Sequence, residues 1–126
     1  MPDPDRPVDI ERFTAAVLSE LYGEAMGEYR RLFAQPLPDH AEPAFRKFWE
    51  LVQTFSPENR RQFFEMLTVV TDNTASTIFG ILDGTTGSEL HFAEFEVRSL
   101  PDGPNLAGLL QDHFWSAREQ QHGGPF

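Results

Sequence analysis

From Ile10 to Leu82 the apolar residues keep helical phase in three stretches separated by prolines, with steps of three, four and seven in the first. That periodicity is the signature of helices with one buried side, and it fixes the class of fold before any single residue is interpreted. In the first segment Ile10, Phe13, Val17, Leu21, Ala25 and Leu32 form the stripe, widened by Leu18, Tyr22, Met26, Tyr29 and Phe33. A helix is expected from Asp9, a natural N-cap, to Phe33, ending where Pro36 and Pro38 disfavour helical backbone in the residues before them. Gly23 and Gly27 within it each cost roughly 1 kcal/mol of helix propensity against Ala, so a close packing contact or a bend is expected there.

A second helix opens at Pro43, carries Phe45, Phe48, Trp49 and Val52, and ends near Phe55. The third has the clearest start. Ser56 can cap, Pro57 presets the first turn, and Glu58 places a carboxylate at the positive end of the dipole. Phe63, Phe64, Leu67, Val70, Thr74, Ile78, Ile81 and Leu82 then hold helical phase as far as Asp83 and Gly84, where glycine offers a left-handed stop. The β-branched residues Thr68, Val69, Val70, Thr71, Thr74, Thr77 and Ile78 suggest a rival hairpin turning at Asp72 and Asn73. Helix is preferred because cap and phase agree, whereas two strands would leave Phe63 and Phe64 without a core.

After Gly87 the period becomes two. Leu90 and Phe92 share one parity and Phe95 and Val97 the other, so a strand over Glu89–Arg98 needs a bulge near Ala93 and Glu94. The turn Pro101–Asp102–Gly103–Pro104 and a return strand at Asn105–Ala107 complete a hairpin, and a last helix carries Leu109, Leu110, His113, Phe114 and Ala117. The expected fold is mainly α: a compact bundle of about four helices with a short β-hairpin between the third and last. Residues 9–121 form one globular domain, between an N-terminal tail of residues 1–8 and a C-terminal tail of residues 122–126.

The 126 residues include 20 Asp and Glu against 10 Lys and Arg, a formal charge of −10, and no cysteine. Such a field repels phosphate backbones and anionic headgroups, which argues against nucleic acid and membranes as partners and favours a basic protein. Without thiols there is no disulfide, thiolate metal site or cysteine nucleophile. No apolar leader or long apolar span stands out, so the expected location is the cytoplasm.

Sites for chemistry are few. His40, His91, His113 and His122 lack the helical spacing of a metal pair, although His91 with Glu89 or Glu94 could meet His113 in space. Gly80, Gly84 and Gly87 bracket Thr85 and Thr86, but no Lys follows, so the glycines read as a helix stop and turn. No cofactor is implied. The one candidate polar line is Thr68, Asp72 and Ser76, which could hold a small ligand, bridge to another helix, or face solvent.

The carboxylates say more by position. Glu20, Glu24 and Glu28 stand four apart, where like charges oppose one another, and Glu94 and Glu96 share a face of the expected strand. These five are the candidate partner-binding residues, with Tyr22, Tyr29 and Trp115 as candidate apolar anchors. The segments Phe79–Gly84, Phe95–Val97 and Leu106–Phe114 resemble small acidic bacterial proteins of the toxin-immunity type. The resemblance implies a helical, cytoplasmic, non-enzymatic inhibitor that neutralises a basic toxin, and it carries over no functional residue. Two other readings stay open: a small enzyme or ligand-binding domain around Asp72, and a self-associating structural or regulatory module, a homodimer pairing through the short strand and the glycines of the first helix.

Overall fold

The computed structural model describes residues 6–85 and 94–122, and every described regular element is helical. Helix α1 spans Ile10–Leu18, and Asp9 caps it, its Oδ1 accepting from the Arg12 amide at 2.8 Å. The chain then widens into a π-helical segment, Ser19–Ala25, and returns to α geometry as α2, Met26–Ala34. One continuous α-helix from Asp9 to Phe33 was expected. The wide turn falls at Gly23, the poorest helix former of the segment, so the expected irregularity takes the form of a change in pitch.

Helix α3, Pro43–Gln53, begins on its proline, and α4, Pro57–Asp83, runs unbroken for 27 residues. Ser56 Oγ accepts the Asn59 amide at 3.1 Å, and Gly84 at φ +79° ends the helix, as the sequence predicts. The rival hairpin is absent. The Thr68, Thr71 and Thr77 hydroxyls donate to the carbonyls of Phe64, Leu67 and Asn73 four residues back, which lets a β-branched run stay helical without stranded hydroxyls. Helix α5 is Leu110–His122.

Internal contacts divide the chain into two compact units, one formed by the residues up to Ser19 with those from Asp72 onward, the other by Glu20–Thr71. In the second, Phe33 is the hub: its ring lies 5.5 Å from Phe45, 5.6 Å from Phe63 and 6.2 Å from Phe64, with Met26 and Val52 buried. Trp49 Nε1 donates to the Gln35 carbonyl and Gln53 Nε2 to that of Phe33, tying α3 to the end of α2. In the first unit α1 packs on α5, and Phe79 sits between Phe13 at 6.0 Å and Phe114 at 5.6 Å. Leu106, Leu110 and Phe114 are almost wholly buried beside them.

The expected β-hairpin is not found among the described residues; Glu89–Ala93, which would hold half of its first strand and the bulge, lie outside them. What remains is a turn. Leu106 N donates to Val97 O at 2.7 Å, but the reciprocal position is taken by a side chain, Asn105 Oδ1, which accepts from both Val97 N at 3.0 Å and Ala107 N at 3.1 Å. Pro101 and Pro104 have no amide to give, so no ladder can extend. The turn is pinned elsewhere: Gly103 N donates to Ser99 O at 2.8 Å, Ser99 Oγ accepts the Val8 amide at 2.9 Å, and the Leu100–Pro101 peptide is cis.

Candidate functional site

Helix α4 is inside out with respect to its composition. Its buried positions from the middle onward are Thr68, Asp72, Ala75, Ser76, Phe79 and Gly80, whereas Met66, Val69, Val70 and Ile78 are exposed. Within the unit that begins at Asp72, the polar positions meet α5 in antiparallel order. The Arg118 guanidinium donates from Nε to Asp72 Oδ1 at 2.7 Å, and both side chains are only 4% exposed. One turn on, Ser76 Oγ accepts from Trp115 Nε1 at 2.8 Å and from Gln111 Nε2 at 3.0 Å, and Gln111 Nε2 also reaches the Ser76 carbonyl at 2.9 Å.

At the far end Asp83 caps a helix that is not its own. Its Oδ1 accepts from the amides of Gly108 at 2.6 Å and Leu110 at 3.1 Å, and its Oδ2 from Gln111 at 2.8 Å. A carboxylate on three amides at the positive end of α5 satisfies donors that no intrahelical carbonyl can reach. Gly108, at φ +97°, supplies the left-handed turn that brings its amide round.

This arrangement can bind one helix to another, and it leaves little for chemistry. A serine hydroxyl has two acceptor positions, and both are occupied at Ser76, which removes the lone pair a nucleophile would need. Asp72 is held in a buried ion pair, and Thr68 bonds within its own helix. Of the three outcomes open to the Thr68–Asp72–Ser76 line, bridging to another helix is the one that Asp72 and Ser76 realise. Trp115, a candidate anchor, is half-buried with its indole nitrogen turned to Ser76.

Among the described residues no cluster of three or more His, Asp or Glu is placed to hold a metal ion. His40 is exposed and His113 half-buried, while His91 lies outside the described residues, as does Gly87 of the glycine bracket.

The five partner-binding candidates are all exposed. Glu20 and Glu24 lie in the π-helical segment, and Glu28 is paired with Arg31 at 2.5 Å. Glu96 pairs with Arg98 at 2.6 Å, so among the described residues the carboxylates of the set without an ion pair are Glu20, Glu24 and Glu94. Tyr29 is exposed and Tyr22 half-buried. Sequence reasoning missed the apolar exposure of α4. It counted Val70, Thr74 and Ile78 in the helical stripe, and nothing local shows that Arg118, Trp115 and Gln111 will draw the polar line inward. One further signal was legible only as a helix stop: Asp83 precedes Gly84, but the helix it serves begins 27 residues later.

Comparison with protein-family models, with curated proteins and with solved structures returns no match for this chain.

Proposed function

We propose that the protein is a non-enzymatic protein-binding module, an inhibitor-like domain that engages a basic partner through its acidic surface. The observation that carries this reading is the commitment of Asp72, Ser76 and Asp83 to α5: the groups best suited to chemistry hold two helices together, while Glu20, Glu24 and Glu94 stand exposed without an ion pair among the described residues. Exposed carboxylates speed encounter with a positive surface, and an exposed ring such as Tyr29 adds buried area once contact is made. The narrower reading, an immunity-type inhibitor that neutralises a bacterial toxin in the cytoplasm, rests on the resemblance of three segments.

The test is capture from the native host at low ionic strength with elution by salt, run in parallel with a Glu20→Lys/Glu24→Lys/Glu28→Lys variant and a Glu94→Lys/Glu96→Lys variant. The reading predicts a basic protein that is recovered by the parent chain and lost with one of the two variants. Recovery of a small molecule alone, or a basic protein held equally by all three chains, contradicts it.

A further inference from the structure

The charge of the chain is divided unevenly between its two units. The residues up to Ser19 and from Asp72 onward contain twelve Asp and Glu against four Lys and Arg, a net −8, whereas Glu20–Thr71 contains eight against six, a net −2. In the second of these units the ridge of Glu20, Glu24 and Glu28 runs straight into Arg30 and Arg31, and Arg31 already holds Glu28. In the first, Glu94, Glu96 and Asp102 are exposed, and the one cation among them, Arg98, is paired with Glu96 at 2.6 Å. The long-range field that draws in a positive surface therefore belongs mainly to the first unit.

The same stretch presents Leu100, 85% exposed, where the next most exposed large apolar side chain described, Met66, is 58% exposed. A lone exposed leucine is ordinary on a protein surface. What holds this one sets it apart. Ser99, just before it, accepts twice: its carbonyl from the Gly103 amide at 2.8 Å and its Oγ from the Val8 amide at 2.9 Å. Asn105 Oδ1 takes the Val97 and Ala107 amides, and Gly103 is buried so tightly against Ser99 that no side chain fits there. The backbone is thus tied down on both sides of Leu100 while its side chain stands in solvent, and a contact ordered in advance loses little entropy on docking.

We propose that the basic partner docks on the turn at residues 94–104 and takes Leu100 into an apolar pocket of its own, with positive groups around that pocket meeting Glu94, Glu96 and Asp102. The inference rests on the reading of the protein as an acidic binding module and narrows it to one of two acidic surfaces. The two kinds of contact separate kinetically. Exposed carboxylates set the rate of encounter and its salt dependence, whereas a buried anchor sets the lifetime of the complex.

The probe is the basic protein that the parent chain retains in the low-salt capture, purified, with association and dissociation rates measured separately. Leu100→Ser should speed dissociation by about tenfold or more at an unchanged association rate. Glu94→Lys/Glu96→Lys should slow association by about tenfold or more at low salt, and Glu20→Lys/Glu24→Lys/Glu28→Lys by less than about threefold. Thermal unfolding of Leu100→Ser should match that of the parent, because so exposed a side chain adds little to the core, and a shorter lifetime then reports the contact itself. An unchanged lifetime with Leu100→Ser, or a triple variant that slows association more than the double, overturns this inference and leaves the basic-partner reading standing. Retention of no basic protein by the parent chain removes that reading, and this inference with it.

Discussion

Replacing Asp72 by Ala should be among the most destabilising single changes in this protein. Its carboxylate meets the Arg118 guanidinium at 2.7 Å, and both side chains are 4% exposed, so the variant leaves a buried cation without that carboxylate. Removing one partner of a buried pair typically costs about 3–5 kcal/mol, most of it the penalty of the charge left behind. For a chain of this length that corresponds to a fall in Tm of roughly 10–20 °C. In urea, with a slope of about 1–3 kcal/mol per molar, the midpoint should drop by about 1–5 M. Arg61→Ala is the control. Its guanidinium pairs with Glu58 and Glu65 on an exposed face, where such contacts contribute less than about 1 kcal/mol. The double variant Asp72→Leu/Arg118→Met should recover to within about 1 kcal/mol of the parent, because apolar replacement removes both desolvation penalties together. An Asp72→Ala cost no larger than that of Arg61→Ala, or a double variant no more stable than the single, would refute the argument that this pair is buried and mutually dependent.

Three smaller perturbations test neighbouring parts of the account. Asp83→Ala withdraws the acceptor from three amides at the start of α5 and should cost about 1–2 kcal/mol, with the added hydrogen exchange concentrated at Gly108, Leu110 and Gln111. Gly103→Ala should destabilise by about 1–3 kcal/mol, since a Cβ there would stand 2.5 Å from the Ser99 carbonyl oxygen, a backbone atom that cannot step aside. Glu58 offers a pH signature: the hydrogen bond from Arg61, and then its charge, hold the Glu58 carboxyl below its ordinary value, with Gln62 adding a weaker bond. A lowered folded pKa means a contribution present above the ordinary carboxyl range and lost as pH falls through the lowered value. Carboxyl NMR should therefore find Glu58 ionised to lower pH than in Arg61→Ala, and identical titrations would count against the contact.

How far the fold was legible follows from how local each signal is. Asp9, Pro43, Ser56 with Pro57, and Gly84 mark helix ends by the conformation of one or two residues, and each marks the end it should. The burial of α4 is a different kind of fact. Its apolar residues spread around the helix, so the inward side is decided by α5, whose Arg118, Trp115 and Gln111 complement Asp72 and Ser76 across a sequence gap of 35 to 46 residues. The same holds for Asp83, which reads locally as the end of one helix and acts as the cap of another. In the turn after Phe95 the alternation suggested pairing, but Asn105 supplies by side chain the acceptor that a second strand would supply by backbone. The candidate carboxylates were legible as exposed positions, because charge predicts solvent contact well. Their pairing with Arg31 and Arg98 was not.

The central claim is that the polar line of α4 is a seam against α5 and not the lining of a ligand site. The indole proton of Trp115 tests it most directly, because the account places it on Ser76 Oγ at 2.8 Å inside that seam. An NMR measurement should find a cross-peak from this proton to the Ser76 β-protons, and exchange with solvent slower by about tenfold or more than for the Trp49 indole, whose bond to Gln35 lies in an exposed setting. No cross-peak, together with a Trp115 indole that exchanges as fast as that of Trp49, would contradict the seam and return Asp72 and Ser76 to the candidates for chemistry.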